Sequence, residues 1–203
     1  MTAPAELVIP AAGEDLGGLS EVIAAAHVEL PVWRWVIPGF GERRRVLQTW
    51  GRLLLGWAAS AGTVETTTAR DAVAAWIPAG PQPPAPPPGY AGRLAAVTGR
   101  HAAGCHALEA AAAACYPAGG PREWLAVIAV SPGRQGQGTG TALLASRHHA
   151  LDTDGRAACL AASPRVRGLC LRHGYADAGD PVRLPAGQEL YPMLRTPGAG
   201  SQS

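Results

Sequence analysis

Apolar positions along the chain change their spacing from segment to segment, and each spacing predicts an element. Leu16, Leu19, Ile23, Ala26 and Leu30 recur at steps of three and four, one face of a helix that Pro31 stops. Val46, Trp50, Leu53 and Trp57 repeat that step in a second helix, with Glu42 in its first turn and Gly62 just past its end. Ahead of both, Glu6–Pro10 is short, apolar and closed by proline, a strand pattern. The β-branched run Thr63–Ala69 and the apolar run Asp71–Pro78 meet around Arg70 and predict a hairpin. Trp124–Val130 and Ala157–Ser163 are unbroken apolar runs, the pattern of strands buried on both faces. Gly140–Thr153 and Arg165–His173 predict helices, the second ended by Gly174. Tyr175–Ala178 and Gln188–Arg195 predict two last strands.

Two stretches carry less pattern. Residues 78–88 hold seven prolines and predict a stiff, extended connector, most simply a spacer. Gly89–Cys115 predicts one or two Ala-rich helices with Gly99 and Gly104 as weak points. The whole is an α/β (α+β) arrangement, helices around a central mixed sheet of about six or seven strands. Residues 1–198 are expected to form a single domain and 199–203 a frayed tail.

Composition removes several function classes. The chain has 203 residues and a formal net charge of +2, so charge gives no case for nucleic acid or a membrane surface as partner. All 17 basic residues are arginine, which a GC-rich bacterial genome explains more simply than a phosphate-binding patch. Cys105, Cys115, Cys159 and Cys170 form no C-x-x-C pair and stand near no histidine at metal-finger spacing; reduced, buried thiols and no metal are expected. No signal-peptide pattern opens the chain and no uncharged apolar run is long enough to span a membrane, so a soluble cytoplasmic protein, monomer or homodimer, is expected.

The chemistry concentrates in "SPGRQGQGTGTALL", Ser131–Leu144. Gly136, Gly138 and Gly140 stand at alternate positions between a buried strand and a helix. Backbone N–H groups in such a turn point into one hollow, and the helix adds its orphan N–H groups and the positive end of its dipole. Glycine lets a pyrophosphate come against the backbone. A Walker-type loop is excluded because the chain has no lysine, and the dinucleotide fingerprint fails because the third glycine arrives one residue early. The form Q/R-x-x-G-x-G/A is filled by Gln135, Gly138 and Gly140.

Here the chain resembles the GNAT superfamily of acetyl-CoA-dependent acetyltransferases. Trp124–Leu144, "WLAVIAVSPGRQGQGTGTALL", looks like the family's fourth strand, pyrophosphate loop and following helix. Cys159–Tyr175, "CLAASPRVRGLCLRHGY", looks like its fifth strand, next helix and closing G-F/Y. The order of the other elements extends the resemblance over nearly the whole chain, and the helical segment before the fourth strand makes it similar to the puromycin-acetyltransferase type of small-molecule resistance enzyme. The resemblance implies that the fourth and fifth strands splay and that the pantetheine arm of acetyl-CoA enters between them. Backbone groups of Ile128 and Val130 would bond the arm. N–H groups from Gln135 through Gly136, Gly138, Thr139 and Gly140 to Thr141 would bond the pyrophosphate. Arg134 would add a charge-assisted contact or stay a solvated loop arginine. Arg165 and Arg167 open the next helix, where solvent exposure is the simpler reading than contact with the ribose phosphate.

Two positions depart from the family. Cys170 stands where many members carry the Tyr thought to protonate the departing thiolate, and Ala126 where many carry a Glu that helps deprotonate the amine. Positioning alone supplies much of the rate, and acid–base help is worth about 10²–10⁴-fold. Cys170 is therefore a candidate proton donor or a buried thiol, and Glu29 heads the replacement bases, ahead of His27, His106, Glu109 and Glu123. Trp33 and Trp35 in "PVWRW", read as a loop, are candidate walls of the acceptor pocket, with Tyr90, Tyr116 and Trp124 behind them. The implied function is direct acetyl transfer to the amine of a small molecule, an antibiotic or secondary metabolite. Another acyl-CoA or altered chemistry on the same scaffold, acetylation of a protein, and a non-catalytic CoA- or drug-binding protein are the rivals.

Overall fold

The computed structural model describes residues 7–199. Glu6 of the first predicted strand and residues 200–203 of the predicted tail lie outside them. The chain runs β1 (Val8–Pro10), α1 (Leu16–His27), α2 (Pro31–Val36), α3 (Phe40–Ala61), β2 (Thr63–Thr67) and β3 (Ala72–Ala79). It continues through α4 (Tyr90–Thr98), α5 (Ala102–Ala114), β4 (Arg122–Val130), α6 (Thr139–Thr153), β5 (Ala157–Ala162) and α7 (Pro164–Arg172). Short strands β6 (Ala176–Asp177) and β7 (Val182–Arg183) precede β8 (Glu189–Arg195).

Eight described strands form one mixed sheet in the order β1-β2-β3-β4-β5-β8-β6, with β7 also paired to β8. Every pairing is antiparallel except β4 with β5. Strand alternation divides the core in two. Val73, Ala75 and Ile77 of β3 join Leu19 and Ile23 of α1 and Leu47 and Leu55 of α3 on one face. Ala72, Ala74 and Trp76 join Leu143, Leu144 and Leu151 of α6 on the other. The turn from α3 into β2 depends on Gly62, where a Cβ would lie 2.0 Å from the Trp76 carbonyl oxygen. All four cysteines are free and buried.

Two local readings differ from the sequence expectation. "PVWRWV" is not a loop but the one-and-a-half-turn helix α2, opened by Pro31 at its first turn, where the missing proline N–H costs nothing. Tyr175 is not a strand residue; it is buried in the second core, its hydroxyl 2.9 Å from His148 Nε2, and β6 starts one residue later.

The centre of the sheet is interrupted. Ala75 pairs with Val127 but Trp76 pairs with Leu125, leaving Ala126 as the extra residue of a β-bulge in β4. A bulge bends its strand and sharpens the twist. Correspondingly, β4 pairs with β5 only over Arg122–Trp124 against Ala157–Cys159. Beyond that the two strands have no pairing, and a wedge opens towards their C-terminal ends.

Candidate active site

The wedge has a polar backbone edge. The Ser131 N–H donates to the Asp71 carbonyl at 2.8 Å, towards β3. By strand alternation the backbone groups of Ala129 and Val127 also point to β3, while those of Val130 and Ile128 point into the wedge. An unpaired strand edge inside a protein requires a partner. One of these groups already has one: the Val130 carbonyl accepts from Gln135 Nε2 at 2.9 Å. Gln135 Oε1 in turn accepts from Arg165 Nη2 at 2.6 Å, so this side chain bridges the end of β4 to the start of α7 across the mouth of the wedge.

The glycine loop sits at that mouth. Gly136 and Gly138 have φ of 77° and 92°, the left-handed region that glycine adopts without strain. A Cβ at either position would meet nothing within 4 Å, so both face open space. Gly138 caps α6, and the first bond of the helix runs from the Ala142 N–H to its carbonyl at 2.9 Å. The N–H groups of Thr139, Gly140 and Thr141 precede that bond and are free to serve an anion. Gly140 has another role: a Cβ there would come 3.4 Å from Leu169 Cδ2 and 3.8 Å from Val130 Cγ2, so its absence lets α6 pack onto α7 and β4. Arg134 is held by the hairpin turn, its Nε donating to Asp71 at 3.0 Å, with Nη1 donating to Gln137 at 2.8 Å. Arg167 pairs with Asp177. These features fit a CoA-type ligand: an unpaired strand edge for the arm and a set of N–H donors with room above them for a pyrophosphate.

A cavity of about 470 Å³ runs inward from the wedge. Ala126, Ile128, Leu160, Ala161, Ser163 and Val166 line it between β4 and β5. Trp33, Trp50, Trp57 and Tyr90 from the helix layer and Trp124 from β4 line it as an aromatic chamber. Pro83, Pro84 and Pro86 close one side, so the proline-rich segment is a wall of the chamber and not a spacer. Trp33 and Trp50 lie with ring centroids 4.9 Å apart, and Trp57 meets Tyr90 edge-on at 5.5 Å. Trp50 and Trp57 were legible in sequence only as core positions of a helix face; nothing in their spacing marks a wall.

The chamber holds one carboxylate. Glu109 Oε1 accepts from Trp50 Nε1 at 3.1 Å and from the Tyr90 hydroxyl at 2.8 Å. Burial, reinforced by that carboxylate, pushes the Tyr90 phenol up, so it remains a donor at every ordinary pH. His27 and His106 complete the ionisable lining. The His27 ring is held by the Ile23 carbonyl, 2.9 Å from Nδ1, and burial keeps its pKa below the usual value.

Several candidates are not brought to this cavity. Glu29 lies in the turn between α1 and α2 with its side chain 60% exposed, 3.9 Å from Arg43 Nη2, off the cavity wall. Trp35 packs against the first core beside the chamber without lining it. The Tyr116 hydroxyl donates to the Gly80 carbonyl and its ring packs near Trp124. Glu123 is fully buried and committed to Arg147 Nε at 2.8 Å and Arg156 Nη1 at 3.0 Å. Cys170 is 0% exposed in the second core, and burial pushes its thiol up to about 12. Tyr90, Trp33, Trp124 and Ile128 do line the cavity.

No family model and no curated protein matches the chain. Solved structures do. The chain superposes on a protein described as histone acetyltransferase HPA2 and related acetyltransferase from Corynebacterium glutamicum, with a TM-score of 0.67 at 24% identity over 96% of this chain and 97% of that one. A GCN5-related N-acetyltransferase from Rhodopseudomonas palustris follows with a TM-score of 0.57 at 12% identity, covering 97% and 98%. The structure described as SsHAT gives 0.53 at 17% identity, covering 96% and 100%. The chain has the GNAT fold.

Proposed function

We propose that the protein is an acetyl-CoA-dependent N-acetyltransferase that acts on the amine of a small molecule by direct transfer. The observation that carries this reading is one continuous cavity joining the wedge between β4 and β5 to an aromatic chamber. The wedge suits the arm of acetyl-CoA; the chamber suits an acceptor. In this reading the strand edge at Ile128 and the Val130 N–H hydrogen-bond the arm, and the N–H groups of the glycine loop and of Thr139, Gly140 and Thr141 neutralise the pyrophosphate. Gln135 fixes the mouth by holding the Val130 carbonyl and Arg165 together.

Acetyl-CoA supplies an activated acyl carbon as a thioester. The chain supplies placement: the acceptor, having given up its ammonium proton, meets the thioester carbonyl from the chamber where the bulge at Ala126 bends β4 away. The C–N bond forms as the C–S bond breaks, and the CoA sulfur leaves as a thiolate that takes up the proton released by the amine. Holding the two reactants in line is worth several powers of ten in rate. The tryptophan and proline walls make the lining of this cleft largely apolar. The apolar, aromatic lining supports a small acceptor over a protein tail, the finer reading that the resemblance to the puromycin-acetyltransferase type implies, whether the acceptor is an antibiotic or a secondary metabolite. The test is turnover: a panel of aromatic amines with acetyl-CoA, followed by thiol release and by the mass of the product. Thiol release matched by an acetylated amine is expected. Thiol release without that product, or no turnover across the panel while acetyl-CoA binds, contradicts transfer to a small amine.

A further inference from the structure

We propose that Glu109 is a specificity-determining residue and that the aromatic chamber selects an amphiphilic cation, an ammonium group carried on an aromatic body. This rests on the reading of the chamber as the acceptor site. The charge of the lining carries the argument. The chain has 17 arginines, yet none lines the cavity; its ionisable lining residues are Glu109, Tyr90, His27 and His106, of which Glu109 alone is acidic in the ordinary pH range. With His27 held neutral by burial, the carboxylate is the dominant charge of the chamber. A carboxylate among apolar side chains needs hydrogen bonds and a counter-charge, because its desolvation is otherwise uncompensated. Glu109 has half of what it needs. Oε1 takes both the Trp50 and the Tyr90 donors, while no described residue donates to Oε2, which is not among the buried unpaired atoms and so stays accessible. Glu109 shares the lining of this cavity with Trp33, Trp50, Trp57 and Tyr90, so a ligand there comes within reach of its carboxylate.

That pairing has one chemical complement. An ammonium gives Oε2 a charge-assisted hydrogen bond, stronger than a neutral donor gives. The faces of Trp33, Trp50 and Trp57 attract the same cation through their quadrupoles, and the rings bury its apolar body. An anionic ligand is repelled and a neutral one leaves the carboxylate unpaired. The Trp50 and Tyr90 bonds fix the carboxylate from two elements, α3 and α4, so it presents Oε2 in one orientation at little entropic cost.

A matched pair of probes tests this: 2-(1-naphthyl)ethylamine and its neutral counterpart 2-(1-naphthyl)ethanol, titrated into the native protein by calorimetry at pH 7. The amine is expected to bind at least about tenfold more tightly than the alcohol. In Glu109→Gln, which keeps an oxygen for Trp50 and Tyr90, that preference is expected to vanish through loss of amine affinity, with alcohol affinity unchanged. Equal affinities in the native protein, no amine binding at about 5 mM, or a preference that survives Glu109→Gln overturns the inference. The native comparison stands even where the variant folds poorly. Adding acetyl-CoA separates the two readings: a selectively bound amine that is never acetylated refutes acetyl transfer and leaves the cation selectivity intact.

Discussion

Cys170 stands where the resemblance to acetyltransferases would put a tyrosine acid, and its surroundings bear on whether it could serve as one in the proposed transfer. Its thiol, pushed up to about 12 by burial in the second core, is a poor donor to a departing thiolate. A CoA thiol resembles an ordinary thiol, with a pKa near 8.5, so the transfer runs uphill by roughly three units. For the same reason the Cys170 thiolate is much scarcer at pH 7 than that of an exposed cysteine, which argues against a covalent acetyl-cysteine. His173, three residues on, does not rescue it: its ring nitrogen Nε2 lies 3.2 Å from Thr141 Oγ1. Cys170→Ala is therefore expected to leave turnover within about twofold while lowering stability by about 1–2 kcal/mol through the small cavity it opens. A loss of turnover of tenfold or more, with acetyl-CoA binding and folding intact, would return Cys170 to the mechanism.

At the scale of elements, the loop between β4 and α6 carries the clearest consequence. Gly138 at φ 92° has open space where a Cβ would go, so Gly138→Val is not barred by a clash. Its cost is the left-handed backbone, of order 1–3 kcal/mol, together with a branched side chain standing in the anion hollow. Acetyl-CoA affinity measured by calorimetry should fall at least about tenfold in a protein that still melts cooperatively; unchanged affinity would mean that the loop serves another purpose. This loop was legible in the sequence because a strand, a Ser-Pro stop, three alternating glycines and a helix follow each other within one short stretch, each with a local physical signature. Other parts were not. The bulge at Ala126 leaves no mark, since an alanine suits a paired or an unpaired strand position equally. Helix α2 is too short for periodicity to reveal. Glu109 reads in sequence as one polar residue on an Ala-rich helix; its role depends on Trp50 and Tyr90, 59 and 19 residues away along the chain. Glu29 stands close in sequence to the aromatic segment, but the turn after α1 carries it to the surface. Proximity along the chain is a weak guide to a site assembled from six helices and three strands.

For the molecule as a whole, the sheet separates two cores and the cavity is where that separation fails. The first core holds α1 and α3 on one face and the second holds α6 on the other. Where β4 and β5 stop pairing, the chamber on the first face opens towards the glycine loop at the start of α6. On the function proposed above, acetyl-CoA fills this break in the sheet. A ligand there restores hydrogen bonds to an open strand edge, so it stabilises the folded state alone. The most direct measurement is the melting temperature of the native protein with and without saturating acetyl-CoA. At 100 times its dissociation constant a ligand adds about 2.7 kcal/mol, which for a chain of this length is a rise of roughly 5–10 °C. A rise of that size, saturating with concentration, is the result the account predicts; an unchanged melting temperature at millimolar acetyl-CoA contradicts it.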